Sequence, residues 1–225
     1  MDRETFAKYF DHTLLKPEAT PDDIRAFCKE AAEIEPYSVC VNSRFVGLAR
    51  KTLDEAGAKD VKVCSVVGFP LGAMSKEAKA FEAQQAVSEG AEEIDMVIMI
   101  GSVKAGCEKM IKADIAGVKE TIGDKTLKVI LETGLLTDEE VVFAAKCAVE
   151  AGADFIKTST GFGHGGATVH HIELMKEAAA GKAKIKASGG IRDLSTAMQM
   201  IEAGADRIGA SATVSIISEY VAKNS

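Results

Sequence analysis

One phrase recurs along this 225-residue chain and limits its fold more than any other feature. EAGAKDVKVCSVVGF begins at Glu55, EGAEEIDMVIMIG at Glu89, EAGADFIKTSTGF at Glu150 and EAGADRIGAS at Glu202. In each copy an amphipathic stretch stops at Gly, which enters the left-handed C-cap conformation at least cost, and an apolar, β-rich run starts a few residues later. Each phrase reads as a helix end, a tight connection and a strand. Between the copies, SKEAKAFEAQQAVSE, TDEEVVFAAKCAVEA and DLSTAMQMIEA open on Ser, Thr or Asp as N-caps and carry apolar residues at helical spacing. Further strands are expected at 11–15, 37–42, 127–133 and 184–190, which makes eight in alternation with helices. Such alternation implies a parallel sheet with right-handed crossovers. Eight units, no linker and near-continuous apolar strands favour a closed (β/α)8 TIM barrel of the α/β class over an open doubly wound sheet. Residues 1–225 are then expected to form a single domain, with DRETFAKYF as an extra N-terminal helix covering the barrel bottom.

Composition narrows the function. With 47% hydrophobic and 27% charged residues, 4 Pro and no low-complexity run, the chain is globular rather than disordered. A net charge of -7 works against nucleic acid or an anionic membrane as partner. No run of about 18 apolar residues offers a span, and the acidic N-terminus does not read as a secretory signal. The five cysteines are scattered and include no C-x-x-C pair, so neither a disulfide framework nor a zinc knuckle is expected, and a reducing cytoplasm fits. His12, His164, His170 and His171 show no ligand spacing and read as surface or capping residues; no metal is expected. Without a G-x-S-x-G elbow or a G-x-G-x-x-G opening a helix after the first strand, hydrolase and dinucleotide-dehydrogenase readings lose their support, and no cofactor is expected.

Three charges stand among apolar neighbours in the strands: Asp95 in EIDMVIMI, Lys157 in DFIKTSTGF and Lys186 in KIKASGG. Strands wrapped by helices have no wet face, so a mid-strand charge needs a partner or a task. Lys182 and Lys184, at the start of a strand, belong to the solvated lower rim. Two ammoniums on adjacent strands about 5 Å apart repel by roughly 3 kcal/mol at an effective dielectric of 20. That is roughly two pKa units, enough with partial desolvation to bring one amine toward neutrality for attack on a carbonyl. Lys157 is the expected nucleophile, Lys186 the cation beside it, and Asp95 the carboxylate that orients them or relays protons. A phosphate is expected where SGGI (Ser188, Gly189, Gly190, Ile191) and GAS (Gly209 to Ser211) follow the last two strands, with a helix starting near Ser211. The glycine-rich loop 160–166 either closes over the ligand or simply connects. Cys40 either lines the pocket or packs as a small apolar residue.

The motifs DHTLLKPEAT, VCVNSRFV, VVGFPLGA, EIDMVI, KVILETGLLT, FIKTSTGF, KASGGIR and RIGAS together resemble the deoxyribose-phosphate aldolase family over nearly the whole chain, from Asp11 to Ser211. The resemblance implies a metal-free class I (Schiff-base) aldolase of deoxyribonucleotide catabolism. Its reaction is reversible cleavage of 2-deoxy-D-ribose 5-phosphate to D-glyceraldehyde 3-phosphate and acetaldehyde. By motif position Lys157 forms the Schiff base and Asp95 and Lys186 relay protons. Asp11, Thr13, Cys40 and Thr160 line the pocket, while the SGGIR segment, including Arg192, and GAS with Ser211 hold the phosphate. A homodimer or homotetramer is implied as well. Met99, the GFGHGG loop and Ala212 depart from the usual pattern, which implies weaker hold on a phosphate, and Tyr220 lies within the last helix rather than at the terminus. Another Schiff-base aldolase or transaldolase on a phosphorylated sugar, or a non-catalytic sugar-phosphate-binding barrel, stands as the alternative.

Overall fold

The structure, a computed structural model, describes residues 1–163 and 165–224; His164 lies outside the described residues. Eight parallel strands close on themselves in sequence order: β1 (Phe10–Leu14), β2 (Ser38–Val41), β3 (Lys62–Val67), β4 (Glu93–Val97), β5 (Thr126–Ile130), β6 (Phe155–Lys157), β7 (Lys184–Ser188) and β8 (Arg207–Ala210). The closing seam sets Asp11 of β1 opposite Gly209 of β8. That pairing leaves no edge and excludes the open sheet. Around the barrel lie α1 (Arg3–Ala7), α2 (Pro21–Ile34), α3 (Val46–Glu55), α4 (Lys76–Ser88), α5 (Ile100–Lys104), α6 (Glu108–Ile122), α7 (Asp138–Glu150), α8 (Val169–Ala179), α9 (Leu194–Ala203) and α10 (Thr213–Asn224).

The helix boundaries follow from local chemistry. Ser75 and Asp193 accept hydrogen bonds from the amides of Ala78 and Thr196, and Thr137 forms a reciprocal capping box with Glu140. In the four repeated phrases Gly57, Gly90, Gly152 and Gly204 take φ of 78°, 110°, 92° and 109°, values that side-chain-bearing residues seldom adopt. The recurring phrase is thus a recurring backbone reversal that turns each helix back into the wall.

Side chains alternate across each strand. One set, including Val39, Val63, Ile94, Met96, Leu127, Val129, Ile156, Ile185 and Ile208, forms the apolar core with the helices. Residues of the other parity, such as Asp95, Lys128, Lys157 and Lys186, supply the buried charges. In the helix layer a buried ion pair joins Lys79 of α4 to Asp114 of α6 at 2.6 Å, and Lys79 also donates to the Val97 carbonyl at 2.9 Å, fastening both helices to the end of β4.

Helix α1 does not cover the barrel bottom. Phe6 stacks on Tyr220 at 4.0 Å, and the Tyr220 hydroxyl donates to the Met1 carbonyl, so α1 packs beside α10. A five-residue helix is about 8 Å long, and only two residues join it to β1, so it cannot reach across the mouth. The lower mouth is lined instead by Tyr37, Glu93, Phe155 and Arg207, whose guanidinium lies 3.4 Å from the Tyr37 ring centroid. Among the described residues no helix is long and apolar enough to cross a membrane.

The reading of His12 as a surface or capping residue is corrected. It is 1% exposed, faces the helix layer, stacks on Phe27 at 4.3 Å and bonds Glu30 at 2.9 Å. Burial holds its pKa below the ordinary histidine value, with Glu30 opposing. The folded state therefore resists a proton that the unfolded chain accepts. This contribution to stability is complete above about pH 6.5 and declines as pH falls toward the folded value, by at most about 1.4 kcal/mol per pH unit. Thermal melts should show the pH dependence between about pH 6.5 and 5 flattened in His12→Gln relative to the parent. His170, by contrast, is exposed and pairs with Asp138 at 2.7 Å.

Candidate active site

Seven charged side chains fill the barrel axis. Asp95 lies at the centre, with one oxygen 2.7 Å from both Lys157 and Lys186 and the other 2.8 Å from Lys128. Lys186 also pairs with Asp11, Lys128 with Glu93 at 2.6 Å, and Arg207 with Asp11 at 2.7 Å and Glu93 at 3.4 Å. Strand register explains the convergence: Lys157 lies beside Lys186, Lys186 beside Arg207, and Asp95 beside Lys128. Because Lys157 and Lys186 share one oxygen, their nitrogens face the same interior, at most twice the bond length apart.

Charges in a dry barrel set one another's protonation. Burial pushes the carboxyls of Asp11 and Asp95 up, but the cations outweigh it and hold both below the usual range: Lys186, Lys128 and Arg207 for Asp11, and Lys128, Lys157 and Lys186 for Asp95. Burial likewise works against the ammoniums of Lys128 and Lys186, yet the surrounding carboxylates raise both above the ordinary lysine value. Lys157 and Lys186 therefore do not face each other unscreened. A shared carboxylate stands between them, and a third lysine stands behind it. Four cations face three carboxylates, which leaves one positive charge in surplus.

Above this cluster, at the C-terminal ends of the strands, opens a cavity of about 230 Å³. Lys157 lines it together with Thr13, Lys16, Thr160, Phe162, residues 188–192 and residues 209–211. Thr13, Lys157, Thr160, Ser188, Gly189, Gly190, Ile191, Arg192, Gly209 and Ser211 are thus brought to one cavity. Asp11, Cys40, Asp95 and Lys186 are not among its lining residues; they are fully buried in the axis beneath it. Met99 and Ala212 do not line it either, and Tyr220 is anchored at the opposite end. A larger cavity, about 770 Å³, lies on the lower rim between Lys8, Lys176, Lys184 and Asp206. Size alone does not mark the reactive end, because the buried lysine opens only into the smaller cavity.

The cavity wall is built by close backbone approach. Ser188 is tied into the wall: its hydroxyl donates to the Ser159 carbonyl at 2.6 Å, and its amide donates to Thr158 Oγ1 at 2.9 Å. A Cβ on Gly166 would stand 2.5 Å from the Gly189 carbonyl, so the chain at Gly166 lies directly against the loop after β7. Phe162 packs edge-on against Phe69 at 5.3 Å. Residues 160–162 therefore form part of the cavity wall and are more than a connection.

Cys40, Cys64 and Asp95 bring their ligand atoms within 4.8 Å of one another. They make a poor metal site. Asp95 is engaged by three ammoniums, and burial first, then the hydrogen bond with Cys40, pushes the Cys64 thiol well above its ordinary pKa. Metal binding needs the thiolate.

Four residues at the site were missed in the sequence. Lys128 meets the same mid-strand criterion as Lys186. Glu93 and Arg207 open their strands and resemble rim residues, although both are buried. Glu132 falls inside the expected strand 127–133, but β5 ends at Ile130 and leaves it beyond the strand; it is 3% exposed, with φ 57° and ψ 59°, a conformation that costs a non-glycine residue roughly 1–2 kcal/mol.

A buried lysine under a glycine-walled cavity at the catalytic end of a (β/α)8 barrel defines an enzyme of carbonyl chemistry, a lyase of the aldolase class. The chain belongs to the DeoC/LacD aldolase family, whose model matches residues 5–218. Among its relatives, the deoxyribose-phosphate aldolase of Brevibacillus brevis is 54% identical over 210 residues, 93% of this chain and 94% of that one. Of solved structures, QR15, an aldolase, superposes with a TM-score of 0.92 at 43% identity, covering 97% of this chain and 96% of its own. The tetrameric deoxyribose phosphate aldolase from Aeropyrum pernix gives 0.89 at 31% identity, with 99% and 93% covered.

Proposed function

We propose that this chain reversibly cleaves 2-deoxy-D-ribose 5-phosphate to D-glyceraldehyde 3-phosphate and acetaldehyde through a Schiff base on Lys157. The carrying observation is that Lys157 alone of the four axial cations lines the upper cavity, while its nitrogen rests on Asp95. Lys128 and Lys186 are held charged by their carboxylates and Arg207 is always so, and none of the three opens into the cavity, which supports Lys157 as the nucleophile.

The amine adds to the C1 carbonyl of the open sugar and expels water, giving a protonated imine. A base takes the C3 hydroxyl proton, the C2–C3 bond breaks, and its electrons flow into the imine to leave an enamine on Lys157. Protonation of the enamine carbon and hydrolysis then release acetaldehyde and regenerate the amine. Asp95 and Lys186 serve this proton traffic through a water, since Asp95 touches both lysines and the charged Lys186 has a proton to return. Thr13 and Thr160 contact the sugar. Residues 189–192 and 209–211 supply backbone amides, with Arg192, for the phosphate, and Ser188 lines the same wall. Asp11 and Cys40 act from beneath as positioning residues, Asp11 by holding Lys186 and Arg207.

Borohydride reduction in the presence of acetaldehyde, followed by peptide mass spectrometry, should place an ethyl group on Lys157; labelling of Lys128 or Lys186, or none, overturns the assignment. Acetaldehyde release from deoxyribose 5-phosphate separates this reaction from other Schiff-base aldol chemistry. A cytoplasmic homo-oligomer, dimer or tetramer, is also proposed. Five free cysteines support the compartment, and exposed Leu71, Phe81 and Met110 support self-association.

A further inference from the structure

Of the five buried carboxylates among the described residues, Asp11, Glu93, Asp95 and Asp114 each pair with a lysine or arginine, and Glu132 pairs with none. Every hydrogen bond made by its side chain comes from one residue. The Thr160 amide donates to its two oxygens at 3.4 and 3.3 Å, and the Thr160 hydroxyl donates to Oε2. The same hydroxyl accepts from the Phe162 amide at 3.0 Å. Thr160 and Phe162 both line the cavity. The left-handed backbone at Glu132 places its carboxylate under this loop, so closely that a Cβ on Gly163 would stand 3.2 Å from Glu132 Cδ. Strained residues of this kind recur where a side chain must be aimed.

A hydroxyl has one proton and two lone pairs. At Thr160 the proton is committed to Glu132 and one lone pair to Phe162, so the remaining capacity is that of an acceptor. A ligand atom meeting this oxygen must donate. A phosphate oxygen or an aldehyde carbonyl cannot satisfy it, whereas an alcohol can.

We propose that Glu132 is a positioning residue that fixes the Thr160 hydroxyl as a hydrogen-bond acceptor, so that this wall selects substrates with an alcohol on the carbon next to the reacting carbonyl carbon of the acceptor aldehyde. In the proposed reaction that alcohol is the C4 hydroxyl of the sugar, the C3 oxygen being the reacting one. The inference rests on the aldol reading of the site and adds its specificity. Replacing Glu132 by Gln puts an amide donor beside Thr160 and lets the hydroxyl reverse.

The test measures kcat/KM for acetaldehyde addition to lactaldehyde and to propanal, which differ only in that hydroxyl. The parent should prefer lactaldehyde, and Glu132→Gln should lower the lactaldehyde-to-propanal ratio about tenfold, the scale of one hydrogen bond to a charged or polarised group. An unchanged ratio, with both rates falling together, overturns the proposal and leaves Glu132 merely structural. Where Glu132→Gln does not fold, Thr160→Val supplies the same comparison, and an unchanged ratio there overturns it equally. Borohydride labelling of the parent with acetaldehyde involves no acceptor hydroxyl; its failure would instead sink the aldol reading.

Discussion

Lys157→Leu should lower turnover of deoxyribose 5-phosphate by at least about 10⁴-fold and yet leave the protein as stable as the parent, or more so. The loss of rate follows from losing the covalent intermediate: no other axial cation reaches the cavity, and the remaining ammoniums are held protonated by their carboxylates. The stability follows from charge arithmetic. Removing Lys157 leaves Lys128, Lys186 and Arg207 facing Asp11, Glu93 and Asp95, three against three. Asp95 keeps two partners, and an apolar side chain takes the place of a 3% exposed ammonium. Replacing a buried charge by a well-packed apolar group is commonly neutral or stabilising when no partner is orphaned. Thermal melts alongside the activity assay check both halves. A variant that melts well below the parent would show that Lys157 is part of the structural network rather than its surplus member.

Asp95→Asn should do the opposite to stability and also impair the reaction. It leaves four cations facing two carboxylates in the barrel axis and takes a charged acceptor from three lysines at once. Breaking a buried ionic network from one side costs about 3–5 kcal/mol, which for a chain of this size corresponds to a fall of roughly 10 °C in Tm. Turnover should fall about 10²- to 10⁴-fold, the range of a lost acid-base contribution. Activity within tenfold of the parent would remove Asp95 from the proton transfer. The two variants differ by one neighbouring contact, and their expected melting shifts have opposite signs because one removes excess charge and the other creates it.

The barrel was legible because its signal is repetitive. Four copies of a Gly-terminated helix followed by an apolar run fix the alternation, and alternation of eight leaves few topologies. Asp95, Lys157 and Lys186 were legible by contrast with apolar neighbours. Lys128 offers the same contrast in TLKVI. Glu93 and Arg207 were hidden for a physical reason: at the first position of a strand a charge ordinarily meets water, whereas here both are buried, Arg207 against the rings of Tyr37 and Phe155. Glu132 was hidden because the expected strand 127–133 runs past the end of β5 at Ile130, where the chain leaves the pleat for a left-handed residue that no residue pattern announces. The N-terminal helix was placed at the correct end but in the wrong position, since the pattern that identifies a helix does not say which neighbour its apolar face will find. That neighbour is α10, through Phe6 and Tyr220.

The guanidinium wedged against Tyr37 gives the barrel a floor. Fuel and exhaust must therefore share one doorway, and the order of departure is settled by which fragment is tethered. The phosphorylated aldehyde is free once its bond to the two-carbon unit is cut, whereas the smaller fragment stays tethered until its adduct is hydrolysed. Slow exit of the larger fragment through the shared opening would hold the lysine occupied however fast the chemistry beneath it runs.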